Sequence, residues 1–106
     1  MIHTIEVTKE LSHEELKKEL RKKLMTGGAV IRIAPGATDE ELMIILDRYL
    51  PVAEPYSAAA QVLRAIAQRD SLPVEIEKKL LNSGLAEVLK DLESRGSETG
   101  KVVSNA

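Results

Sequence analysis

The 106-residue chain has no cysteine, no phenylalanine and no tryptophan, and its two tyrosines, Tyr49 and Tyr56, are its whole aromatic content. The absence of cysteine excludes disulfides, a thiolate nucleophile and thiolate metal ligands. So small an aromatic set argues against the base-stacking platforms of single-stranded nucleic-acid binders and against aromatic interface anchors, leaving aliphatic surface as the expected means of recognition. Charge of one sign is missing too: fifteen Lys and Arg face seventeen Asp and Glu, a formal net of -2. Proteins that bind by neutralising phosphates carry a basic excess, and the chain has none overall. No apolar run approaches the ~20 residues that span a bilayer. The start Met1-Ile2-His3-Thr4-Ile5-Glu6 has neither the basic residues nor the apolar core of a signal peptide. A cytoplasmic protein with no membrane contact is the expectation.

What is present begins with Gly27-Gly28-Ala29-Val30-Ile31-Arg32-Ile33-Ala34-Pro35-Gly36. A β-branched run between glycine and Pro-Gly stops reads as a buried strand. Ala29, Ile31 and Ile33 fall on one face and Val30 and Ala34 on the other, a pattern suited to burial from both sides. Residues 2–7 alternate as well, with His3, Ile5 and Val7 on one face of a first strand.

Helices follow from caps and periodicity. Ser12 with Glu15 makes a capping box, and Leu11 can staple onto Leu16, starting a helix whose inward line is Leu16, Leu20 and Leu24 and whose end is Gly27. Thr38 with Glu41 makes a second box for a helix over about 39–50, with Leu42, Met43, Ile45, Leu46, Tyr49 and Leu50 on a broad apolar face. That face makes it the expected most buried helix, with Ile44 outside it. A third helix is predicted from about Pro55 or Tyr56 to Arg69 with Ala59, Val62, Leu63 and Ile66 inward, a fourth opening at Pro73 with Ile76, Leu80 and Leu81 inward, and a fifth with Leu85, Val88, Leu89 and Leu92 inward before Gly96.

The fold class expected is therefore α+β: a β-α-β-α unit followed by a small three-helix C-terminal set, with the first two helices covering the sheet. Residues 1–96 form the expected domain, with an internal boundary near 51–55 and a flexible tail over 97–106. An isolated strand pair is marginal in water, so the sheet is expected to be completed by oligomerisation, as a two-fold homodimer.

The chemistry-bearing residues have plain structural explanations. His3 and His13 lack further ligands at metal-binding spacing. Asp39-Glu40-Glu41 suits a first helical turn through the helix dipole. The glycines around the second strand do not have phosphate-loop spacing or polarity. No catalytic residue, cofactor or metal is expected, and the function expected is a non-enzymatic protein-interaction or assembly module with candidate interface residues Ile31, Ile33 and Ile44. The alternative is a DNA-binding regulator, using a helix-turn-helix-like pairing of the last two helices or a weak anion-binding set, Lys17, Lys18, Arg21 and Lys22, on the first. The outward residues of the last helix, Ala86, Glu87, Lys90, Asp91 and Glu93, are poor base readers.

Overall fold

The computed structural model describes residues 2–95. Two strands, β1 (His3–Val7) and β2 (Ala29–Ile33), alternate with α1 (His13–Leu24) and α2 (Asp39–Tyr49), and a 3-10 turn over Leu50–Val52 leads into α3 (Ala58–Ala67), α4 (Val74–Leu81) and α5 (Ala86–Arg95). The fold is mixed α and β, five helices with one parallel two-stranded sheet. The tail expected to be flexible, 97–106, lies outside the described residues.

Local signals set the elements. Both capping boxes form: the Ser12 and Thr38 hydroxyls accept from the amides of Glu15 and Glu41, and each glutamate reaches back to the amide of its cap. Hydrogen bonding to the carboxylate by the Thr38 amide first, and by the Thr38 hydroxyl second, holds the Glu41 carboxyl below its ordinary pKa. After α1 the chain turns through Gly27 and Gly28 at φ 132° and 136°, where a Cβ would be strained, and enters β2. The strands pair in register, His3 beside Ala29 through Val7 beside Ile33. Ile5, Val7, Ile31 and Ile33 turn one face of this sheet into the core.

The helices covering the sheet differ from the expectation. α1 packs chiefly on β1 and α3 on β2, while α2 packs against α3 and α4. α3 is also the most buried helix, with Ala59, Ala60, Val62, Leu63, Ile66 and Ala67 all at 0% exposure. The small side chain of alanine lets backbones approach closely. α3 consequently touches the sheet and every other helix.

Two further leucines depart from their expected places. Leu24 is 58% and Leu81 49% exposed. Each four-residue step along a helix overshoots a full turn by about 40°, so a line from Leu16 through Leu20 has rotated by about 80° when it reaches Leu24. Leu81 directly follows buried Leu80 and is turned by about 100° from it. Finally, the described residues cover the sheet on one face only: Val30 is 51% exposed and Arg32 is exposed with it.

Candidate functional site

Parallel pairing uses alternate residues of each strand. The His3 amide donates to the Gly28 carbonyl at one end and the Ala34 amide to the Val7 carbonyl at the other. With the observed register, the backbone groups of Val30 and Arg32 therefore face β1. Those of Ala29, Ile31 and Ile33 face the opposite way, to the free edge of β2. Three amides and three carbonyls are thus presented there, without a hydrogen-bond partner among the described residues.

This edge borders a groove. Its first part, about 300 Å³, is lined by Ala29, Val30 and Ile31 on the strand side and by Tyr56, Gln61, Arg64, Ala65, Gln68 and Glu87 on the other. Its second part, about 480 Å³, shares Gln68 and continues past Arg32, Ile33 and Pro35 to Arg69 and Asp70. The helical wall comes from α3, where Gln61, Ala65 and Gln68 recur at spacings of four and three and so share one flank.

The wall is held rigidly. Ser57 caps α3, accepting from the Ala60 amide, and its hydroxyl donates to the Glu54 carbonyl at 2.7 Å. Pro55 and Tyr56 occupy the centre of this turn, closed by the Ser57 amide on the Glu54 carbonyl. Tyr56 sits at φ 62°, a conformation ordinarily left to glycine or asparagine, and is 85% exposed. Its amide is fixed by the Glu87 carboxylate at 2.8 Å. Arg64 makes a forked bond to Asp91, Nε and Nη2 donating at 2.7 and 3.2 Å, tying α3 to α5 and raising the guanidinium pKa further.

The residues expected to form an interface divide. Ile31 and Ile33 are 8% and 5% exposed and belong to the chain's own core, so at this strand the surface available to a partner is their backbone together with the side chains of Val30 and Arg32. Ile44 is 44% exposed on α2, away from the groove. The basic set stays on the wet side of α1: Lys17 pairs with Glu14 at 3.1 Å, Lys18, Arg21 and Lys22 are exposed, and Lys23 pairs with Glu19 at 3.2 Å. His3 Nε2 shares a hydrogen bond with the Thr26 hydroxyl, and the His13 ring stands edge-on to Tyr49. Among the described residues no cluster of three or more His, Asp or Glu is poised to hold a metal ion, and no helix is long and apolar enough to cross a membrane.

Sequence reasoning missed Tyr56, Ser57 and the α3 flank. Ser57 had a readable signal, a cap residue followed by three alanines, but Pro55 competes with it as a helix start. No family model, curated protein or solved structure matches this chain.

Proposed function

We propose that the chain is a non-enzymatic protein-interaction module that pairs an extended backbone segment with the free edge of β2. The observation that carries this reading is the row of amides and carbonyls at Ala29, Ile31 and Ile33, unpaired among the described residues and lying beside a groove. Edges that are not meant to pair are blunted by charged side chains, proline or bulges. The segment from Ala29 to Ile33 has no proline and no bulge, and its one charged side chain, Arg32, is paired with Glu6 of the neighbouring strand. Strand addition of this kind draws affinity from main-chain hydrogen bonds and selectivity from the pockets beside them. Self-association through the same edge, as in a homodimer, is a contact of the same class. The DNA-binding alternative gains nothing from α1, where glutamates pair with two of the lysines.

The test is Ala29→Pro. It removes an outward amide at the first residue of an edge strand, a place where proline is tolerated, and leaves the β1–β2 ladder intact. Peptides selected from a random display library on the wild-type chain are expected to lose binding to this variant while its melting temperature and circular dichroism hold. Val30→Lys, which places a guarding charge on the exposed face, is expected to act in the same direction. If neither peptide binding nor self-association at ~100 μM, far above ordinary dimer affinities, responds to either variant, the edge is not the contact.

A further inference from the structure

We infer that the β2 groove takes a single peptide strand with an acidic residue opposite Arg32 and an apolar residue two positions away, beside Val30 and Tyr56; this rests on the sheet-edge reading above.

Sterics decide between one strand and a second copy of the chain. Neighbouring strands lie about 4.8 Å apart, whereas packed helices need about 8–10 Å between their axes. α3 runs along β2, and α1, over β1 and in contact with α3, stops it from stepping inward. A two-fold pairing of β2 with its own copy would set a second α3 on the same face of the sheet, displaced by little more than the strand spacing. The two helices would collide before the strands could pair. The slot admits a strand that brings no helix with it.

The chemistry of the slot then selects the segment. Residues of an added strand alternate between the α3 side and the exposed side of the sheet. On the exposed side their neighbours are Arg32 at one end and Val30 at the other, two residues apart on β2. Arg32 is half exposed, and its contact with Glu6, at 3.6 Å, leaves donors for a second carboxylate. Arg69 lines the same end, with Asp70 diluting its charge. At the other end Val30 and the exposed ring of Tyr56 flank an apolar position. Between them, facing α3, Ala65 leaves room for a small side chain, and the Gln61 and Gln68 amides favour a polar one.

The experiment uses the isotopically labelled full chain and nine-residue peptides, threonine and serine throughout except for a central aspartate and valine two positions apart, in both orders. The amides of Ala29, Ile31 and Ile33 are expected to shift on titration with the better of the two. Lysine in place of the aspartate should weaken binding by about threefold to tenfold, the range of a cross-strand charge pair turned from attraction to repulsion. The double variant Glu6→Arg with Arg32→Glu keeps the β1–β2 pair and should invert that preference. Tyr56→Gly should weaken binding of the valine peptides while leaving the melting temperature equal or higher, since glycine accepts the positive φ without strain. Equal binding of aspartate and lysine peptides, lost with Ala29→Pro, would overturn this inference and keep the edge reading. So would an edge already occupied by the chain itself, seen as slow exchange of the Ile31 and Ile33 amides without peptide or as a dimer in light scattering that Ala29→Pro dissociates. A monomer whose edge amides exchange freely and respond to no peptide removes both.

Discussion

The carbonyl of Leu11 accepts two hydrogen bonds from the far end of α2: Arg48 Nη1 donates at 2.9 Å and Tyr49 Oη at 3.2 Å. Leu11 immediately precedes the Ser12 cap, so this one oxygen fixes the start of α1 to the end of α2. Redundancy makes the expected energetics non-additive. Tyr49→Phe keeps the packing of a fully buried ring and leaves the carbonyl one donor, so it should cost about 0.5–1 kcal/mol. Arg48→Met keeps the aliphatic stem and should cost about as much, ~0.5–1 kcal/mol. In the double variant the carbonyl has no donor left, and an unsatisfied, partly buried acceptor adds a desolvation penalty of about 1–3 kcal/mol. The double variant should therefore exceed the sum of the single variants by ~1 kcal/mol or more. Urea unfolding at neutral pH measures this directly. With a denaturant slope of about 1–2 kcal/mol/M for a chain this size, the excess lowers the midpoint by ~0.5–1 M beyond additivity. Additivity within ~0.3 kcal/mol would show that water satisfies the carbonyl and that the two donors do not act as one clamp.

Other expectations follow from single contacts. Burial raises the Tyr49 pKa above its ordinary value, with Arg48 opposing and Glu15 adding to the shift. Above pH ~10 the unfolded chain releases this proton while the folded chain keeps it, so the stability tied to Tyr49 is intact below that pH and is lost as pH rises toward the folded value. Unfolding curves of wild type and Tyr49→Phe should converge across that window, and parallel curves would contradict the assignment. Arg64→Met should cost about 1 kcal/mol, since the forked bond to Asp91 is charge-assisted but the arginine is 41% exposed and partly screened. Hydrogen exchange should quicken in α5 more than in α1, and a uniform change would place the effect elsewhere. Ile44→Glu should shift stability by no more than ~0.5 kcal/mol and leave peptide binding at β2 unchanged; loss of self-association in this variant alone would move the contact to α2.

Ser12, Thr38, Gly27 and Gly28 declare their structures in the sequence because capping and positive φ are settled within four residues of chain. The strands are legible for a related reason. Ile5, Val7, Ile31 and Ile33 alternate, and alternation fixes which side chains turn inward. The identity of the sheet's covering helix is not local in this sense. α2 and α3 both carry broad apolar faces, so periodicity marks each as buried without saying which one lies on the sheet; α3 holds the centre, where Ala59, Ala60 and Ala67 permit close approach on several sides at once. The surface that a partner would meet is not local either. Hydrophobicity singles out Ile31 and Ile33, whose side chains complete the core. What those two residues offer a partner is main chain, and main-chain groups are the same in every residue, so no side-chain pattern marks them.

The close approach of α3 also connects the core to the site. Because α3 can settle closely onto β2, its remaining flank, Gln61, Ala65 and Gln68, stands at the strand's free edge instead of over the middle of the sheet. A bulkier α3 would be pushed off the strand, opening the groove and leaving an ordinary exposed edge. A helix centred over both strands would leave no wall at all. The alanines that let α3 settle onto the strand therefore also give the edge its wall, and Ala60→Leu provides the test. Overpacking of this kind costs about 1–3 kcal/mol. Where the fold survives, the displaced helix should weaken peptide binding and shift the Ile31 and Ile33 amides even though no groove residue is altered. Unchanged affinity in a folded Ala60→Leu chain would show that the edge alone, without its helical wall, makes the site.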